Sequence, residues 1–216
     1  MAEGKRLRRR WLASGAATVL LAGAGLGLWW RSAHAAAELP ASACWSVLTR
    51  ADLKPLANDA HGTFVEHYWL NYGVRLHPTV NGQSCEVRRE LEAPIVQINV
   101  WSMDEFVMNA VYGAGAKKPK SRLDFGADVQ GWVGQDDVSL GFRCDNPETT
   151  RLGAPYVGLQ VFTRDNSPKS DSSHRAVLGI ALKYAKAVVA DFSCSNPLHL
   201  PDSVPETAAN FPSAGP

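Results

Sequence analysis

No two of the four cysteines in this chain stand at C-x-x-C or any other metal-ligand spacing, which excludes a zinc ribbon, a zinc finger and a thioredoxin-type redox pair. GxSxG, HExxH, the phosphate-binding P-loop and GxGxxG are all missing, and with them the recognisable signatures of serine hydrolases, zinc proteases, nucleotide hydrolases and dinucleotide enzymes. An excess of positive charge is missing too, except at one end. The whole chain carries a net charge of +1; residues 1–35 carry +5 of charge, so the remainder is at −4. A mildly acidic body lacks the basic footprint of a nucleic-acid binder. At 45% hydrophobic and 20% charged residues, the composition is globular rather than disordered.

The basic excess is Lys5, Arg6, Arg8, Arg9 and Arg10, followed by an uncharged run from Trp11 to Trp30 and closed by Arg31. A helix of about 20 residues spans about 30 Å, the thickness of a hydrocarbon core. Indoles at both ends, Trp11 and Trp29–Trp30, suit the two interfaces, and the basic cluster keeps the N-terminus cytoplasmic. Residues 11–30 are therefore read as a single-pass anchor, with 1–10 cytoplasmic, 31–43 a stalk and everything beyond extracytoplasmic. The alternative is a cleaved signal peptide, since Ala33-His34-Ala35 is an A-x-A site, with secretion after cleavage near Ala35. Arg8-Arg9-Arg10-Trp11-Leu12 resembles a twin-arginine export signal, but the favoured reading is an ordinary basic leader. Gly23 and Gly27 form a GxxxG in a segment already full of small residues.

Cys44, Cys85, Cys144 and Cys194 all lie beyond this leader, and an even number in an exported chain argues for two disulfides. Spacing alone leaves three pairings open. A weak internal repeat chooses among them. Residues 93–104 (APIVQINVWSMD) and 154–165 (APYVGLQVFTRD) share the form A-P-x-V-x-[IL]-x-V-aromatic-x-x-D, and a cysteine precedes each copy at a similar distance. The repeat suggests half-units at about 44–112 and 127–194. Cys85 and Cys144 would then be equivalent strand positions, favouring Cys44–Cys85 and Cys144–Cys194.

Hydrophobic alternation places strands at 63–70, 84–89, 94–101, 130–133, 138–144 and 156–162. Asn81-Gly82 is a hairpin turn signal. A short helix opens near Thr49, with Leu53, Leu56 and Ala57 on one face and Pro55 against it. Ser102-Met103-Asp104-Glu105 reads as a capping box opening a helix to Tyr112. His174–Phe192 is the strongest helix, with Val177, Ala181, Tyr184 and Val188 as its stripe. Gly113–Arg122 reads as a mobile loop between the halves. The Pro-rich tail, residues 195–216, reads as extended or disordered. The expected fold is α+β: one or more antiparallel sheets with helices on one face.

The Arg-rich leader, Cys44-Trp45, a Cys-bearing strand, the Ala-rich stretch from Ala185 to Cys194 and the Leu198-His199-Leu200-Pro201 tail resemble uncharacterised actinobacterial exported proteins. The layout is similar in style to small secreted domains of PsbP-like α+β fold. That resemblance implies a fold and supplies no catalytic residues. The long Gly113–Arg122 insertion leaves open one PsbP-like domain or two half-units.

Among polar clusters, Asp59, His61, Glu66 and His67 lie close in sequence without metal-ligand spacing, and read as a loop and strand with surface histidines. Asp136-Asp137 reads as a turn with exposed carboxylates, too few oxygens for calcium. Lys117, Lys118, Lys120 and Arg122 read as a soluble linker, or as a weak contact to anionic polymers. Trp45, Trp69, Trp101 and Trp132 are either core residues or groove-lining aromatics. Trp101 falls opposite the apolar face of its strand, and its repeat counterpart is Phe162; together they are the candidate recognition surface. The sequence assigns no catalytic, cofactor-binding or metal-ligating residue. It favours a non-enzymatic ectodomain, anchored through residues 11–30, that binds an envelope protein or ligand and no nucleic acid. The alternative is a hydrolase-like envelope enzyme using a pair such as His61 with Asp59.

Overall fold

A computed structural model describes residues 37–57, 60–69, 82–90, 92–112, 121–123, 125–134, 137–163 and 171–206. The leader, Asn81, Asp59, Asp136 and residues 113–120 lie outside them. Among the described residues, no helix is long and apolar enough to cross a membrane. The chain divides into two units, one of residues 1–38 with 59–63 and one of 39–58 with 64–216. Within the first, Glu38 bridges to Thr63, and its N–H donates to the Gly62 carbonyl at 2.9 Å.

The second unit opens with a two-stranded ribbon, β1 (Ser42–Ala43) and β2 (Leu48–Thr49), leading into α1 (Arg50–Ala57). The Asp52 carboxylate accepts from both the N–H and the hydroxyl of Thr49 at 2.7 Å, satisfying a donor at the helix start. Leu53, Leu56 and Ala57 are buried as their spacing requires, and the helix accommodates Pro55. Lys183 reaches the same Asp52 carboxylate at 2.6 Å.

Strands β3 (Val65–Trp69), β4 (Gln83–Arg88), β5 (Val96–Met103), β6 (Ser121–Arg122), β7 (Val129–Val133), β8 (Asp137–Arg143) and β9 (Tyr156–Thr163) form one seven-stranded sheet. Its order is β3-β4-β5-β9-β8-β7-β6, and every neighbouring pair is antiparallel. One face carries Cys85, Val87, Val96, Ile98, Val100, Val138, Leu140, Phe142, Val157, Leu159 and Val161, all fully or almost fully buried. α4 (Asp171–Asp191) lies on it, burying Val177, Ala181, Tyr184 and Val188, with α1 packed alongside.

The helices do not share one face. α2 (Glu105–Tyr112) packs Met108 and Val111 against Met103, Trp101, Trp132 and Tyr156, whose alternation puts them on the opposite side of the sheet. The expectation of helices on a single face is corrected accordingly: Trp101 and Met103 add an apolar patch to the otherwise polar side, and α2 covers it. The start of α2 also differs. β5 runs through Ser102 to Met103, and the cap is Asp104, whose carboxylate accepts from the Val107 N–H at 2.7 Å. A short helix that the hydrophobic pattern did not reveal, α3 (Pro147–Arg151), is capped by Asn146 with proline at its first turn. Residues 121–122, assigned from sequence to a loop, pair with β7 as the edge strand β6.

The repeat takes on geometric content in the sheet. Its two copies form β5 and β9, which are direct neighbours. Asn99 and its counterpart Gln160 are register partners, as are Ile98 with Val161 and Val100 with Leu159 around them. An antiparallel pair in which a residue faces its own counterpart has a local two-fold axis through that pair. The relation extends outward, since β3-β4-β5 and β7-β8-β9 are both three-stranded meanders followed by a helix. The helices break it, each lying on its own face.

Disulfides join Cys44 to Cys85 and Cys144 to Cys194, one within each half. The positional argument used to pair them does not hold. Cys85 faces Ile98, and the counterpart of Ile98 is Leu159, which faces Leu140. Cys85 thus corresponds to Leu140, while Cys144 lies just past the end of β8. There it meets the end of α4. Ser193 takes a left-handed conformation (φ 51°), its N–H reaches the Ala190 carbonyl, and the Cys194 N–H reaches the Val189 carbonyl at 3.3 Å. This is the helix-ending turn that usually uses glycine. Beyond it, residues to Glu206 follow the body of the domain. Asn196 accepts from the Asp145 N–H at 2.7 Å and donates to the Arg143 carbonyl at 3.0 Å.

The Cys144–Cys194 bridge spans 50 residues. Loop-closure entropy for that length is about 4 kcal/mol. Replacing both cysteines with alanine is expected to lower the unfolding free energy by about 3–4 kcal/mol, read by urea denaturation. A loss under about 1 kcal/mol would mean that the anchored tail, not the bridge, holds the end of α4.

Candidate functional site

Among the described residues, two places bring polar chemistry together. The first is the turn between β1 and β2, where Cys44, Trp45 and Ser46 are all left-handed, with φ of 52°, 60° and 61°. Each such residue costs about 1–2 kcal/mol for an L-amino acid, so the turn persists only because its surroundings fix it. The Glu66 carboxylate accepts from the Cys44 N–H at 2.7 Å, the Tyr68 hydroxyl accepts from the Trp45 N–H at 2.9 Å, and Tyr68 donates to Glu66 at 2.9 Å. Tyr184 donates to the Cys44 carbonyl at 2.8 Å, and the Cys44–Cys85 bridge closes the ring of restraints. Trp45 packs edge-on against Tyr68 and Tyr184, with ring centroids 5.4 and 6.2 Å away. Successive N–H groups in this conformation form an anion-binding hollow. Here the protein's own Glu66 occupies it. Cys44, Glu66 and Cys85 bring potential ligand atoms within 4.8 Å of one another, but the two sulfurs are bonded to each other and present no thiolate to a metal.

Burial pushes the Tyr184 phenol well above its ordinary value of 10, and the nearby Tyr68, Glu66 and Asp52 add to the effect. Burial likewise raises Tyr68, with the N–H of Trp45 opposing.

The second place is the polar face of the sheet. Register partners in one row are Trp69, Ser84, Asn99, Gln160, Ser139 and Trp132, taken across β3, β4, β5, β9, β8 and β7. The row reads the same from either end in residue type, tryptophan-serine-amide-amide-serine-tryptophan, and the local two-fold passes through its middle. Adjacent strands are about 4.8 Å apart, so the tryptophan positions stand about 24 Å apart. The next row contains His67, Glu86, Gln97, Phe162 and Asp137.

Within these rows the amides are oriented by their neighbours. Gln97 Nε2 donates to Ser84 Oγ at 3.3 Å and Asn99 Oδ1 at 3.2 Å. Asp137 Oδ2 accepts from Gln160 Nε2 and Ser139 Oγ, each at 3.2 Å. Asp137 is therefore not the exposed turn carboxylate its sequence context suggests. It is 8% exposed in β8, and Ser139 is 2% exposed. Glu86, also buried, pairs with Arg88 at 2.8 Å.

Trp101 and Phe162 do lie on one face and are related by the same two-fold, both half-buried. They are not adjacent: four residues of strand, about 13 Å, separate their rows. Trp101 lies flat across Gly158; a Cβ there would come within 2.3 Å of the indole Cε2. Trp101 also packs against Met103 and Met108, as does Trp132. Trp69 is 55% exposed at the edge of the sheet, while Trp45 belongs to the left-handed turn. His67 sits on β3 and His61 belongs to the other unit; Asp59 lies outside the described residues, as do Lys117, Lys118 and Lys120. A separate open cleft of about 360 Å³ is lined by Phe125, Gly126, His199, Leu200, Pro201 and Pro205. Asp128 accepts from the His199 N–H at 3.1 Å at its margin.

The sequence signal for this face was the alternation of Gln97, Asn99 and Trp101 with apolar neighbours. The contribution of Ser84, Ser139 and Asp137 becomes visible only once the register is known. No protein-family model, curated protein or solved structure matches the chain.

Tyr184→Phe is expected to cost about 1–2 kcal/mol near neutral pH by leaving the Cys44 carbonyl without its donor. A phenol with a raised folded-state pKa favours folding fully below its unfolded pKa and loses that contribution as pH rises through the folded value. The gap between wild type and variant should therefore narrow from about pH 8 to about pH 10.5, since only the wild type carries this phenol. Equal unfolding curves at both pH values would remove Tyr184 as a clamp on the turn. Gly158→Ala is expected to destabilise by about 1–3 kcal/mol through collision with the indole. In a Trp101→Leu background the same change should cost much less; an unchanged cost would mean the backbone, not the indole, is the obstacle.

Proposed function

We propose that the chain is a non-enzymatic, membrane-anchored extracytoplasmic domain that recognises an envelope protein or ligand through the polar face of its sheet. The observation that carries this reading is the partly exposed part of the row, Trp69, Ser84, Asn99 and Gln160. An outward sheet face seldom needs interlocked amides and a buried carboxylate for stability, because lysine, glutamate or threonine would keep it soluble at lower desolvation cost. Side chains fixed by mutual hydrogen bonds are instead what binding requires, because little rotamer freedom is left to lose. Two disulfides suit an oxidising compartment outside the cytoplasm. The run from Trp11 to Trp30 would hold the domain at the membrane, with cleavage near Ala35 as the route to a secreted form.

A photoreactive benzoylphenylalanine placed at Phe162 in the full chain, activated in intact cells, is expected to capture one dominant adduct. The same group at Lys54, exposed on α1, is the control. Capture at Phe162 alone, reduced by Asn99→Ala, supports the face as the recognition surface. Equal labelling at both positions, or none at either, would sink it.

A further inference from the structure

We infer that the ligand of the polar face is a neutral glycan lying along Ser84, Asn99 and Gln160. This rests on the binding role proposed above and names the class of ligand. Three observations lead to it.

The first is charge. Glu86 is paired with Arg88, and Asp137 is engaged by Gln160 and Ser139. The Arg88 guanidinium is thus taken up by Glu86, and a carboxylate, Asp137, stands in the middle of the face, which together disfavour an anionic ligand there.

The second is the hydrogen-bonding capacity that remains. Asn99 spends its carbonyl oxygen on Gln97, and Gln160 spends its amide nitrogen on Asp137. Asn99 Nδ2 and Gln160 Oε1 make no hydrogen bond among the described residues. They are register partners, so a donor and an acceptor stand side by side at the two-fold. A sugar hydroxyl can use both at once, since it donates one hydrogen bond and accepts others. An acetamido group can do the same with its N–H and C=O.

The third is where the aromatic groups lie. A protein interface has an apolar centre and a polar rim. This face has polar side chains at its middle and rings beside them: Phe162 in the next row and Trp69 at one edge, while α2 packs against Trp101. Such rings suit the apolar faces of pyranose units, which have alternating hydroxyl edges and C–H faces. The partly exposed stretch from Trp69 to Gln160 crosses four strands, about 14 Å, and suits two or three linked sugars rather than one.

The test uses the full chain in lipid nanodiscs, because sugar-headed detergents would compete for the site. Chitotetraose, cellotetraose and maltotetraose are titrated separately by calorimetry up to about 5 mM. Saturable binding of at least one is expected. Asn99→Ala and Gln160→Ala should each weaken it about tenfold, the effect of one lost hydrogen bond at a partly buried site, with unchanged melting temperature. Saturable binding that survives both substitutions would overturn the assignment. So would the absence of saturable binding to all three. In that case the photo-capture at Phe162 separates the two levels of the argument: a captured protein leaves the recognition face standing and removes the glycan, whereas no capture removes both.

Discussion

The pairing of β5 with β9 is the contact on which the rest of the domain depends. It is the only register among the described strands that joins the N-terminal meander to the C-terminal one, running from Val96 opposite Thr163 to Met103 opposite Tyr156. Its buried side chains form the centre of the core beneath α4. Its outward side chains put Asn99 beside Gln160 and set Trp101 over Gly158. A shift of one residue would turn Ile98, Val100, Leu159 and Val161 outward and the amides inward, so burial of the aliphatic residues and placement of the polar row are fixed by the same register.

Each half then needs a separate device to secure its outer parts. In the first, a left-handed turn of three non-glycine residues is held by Glu66, Tyr68, Tyr184 and the Cys44–Cys85 bridge. In the second, a left-handed serine ends α4 and delivers Cys194 to Cys144. Both bridges sit beside backbone that an L-residue adopts reluctantly. The covalent link is placed where the chain is most inclined to relax, and side-chain hydrogen bonds from distant strands complete the restraint.

Much of the fold was legible because it is written in local alternation. Strands β3, β4, β5, β7, β8 and β9 and the helix ending at Asp191 follow directly from hydrophobic period, and the α+β class follows from them; the edge strand β6 does not. What was not legible depended on partners distant in sequence. Ser102 reads as a helix cap until β5 is seen to continue through it, leaving Asp104 as the cap. Asp136-Asp137 reads as a solvated turn, whereas Asp137 lies inside a strand against Gln160. The repeat correctly marks two strands of one kind, yet gives no indication that they are neighbours or that Cys85 corresponds to Leu140. The side chosen by α2 is hidden for the same reason: Met108 and Val111 look like any apolar stripe, and only the patch formed by Trp101, Trp132 and Tyr156 determines which side receives them.

The order of the strands along the chain also bears on the export proposed above. In that reading the N-terminal meander would emerge first from a translocation channel and could pair β3, β4 and β5 and oxidise Cys44 with Cys85 while the remainder is still being threaded. At that stage β5 is an open edge with a row of unpaired N–H and C=O groups and three valines or isoleucines on one side. The strand that closes it begins at Tyr156. Nearly the whole second meander must appear before the seam is sealed, and during that interval the nascent chain presents the kind of bare strand that invites pairing with a second copy of itself.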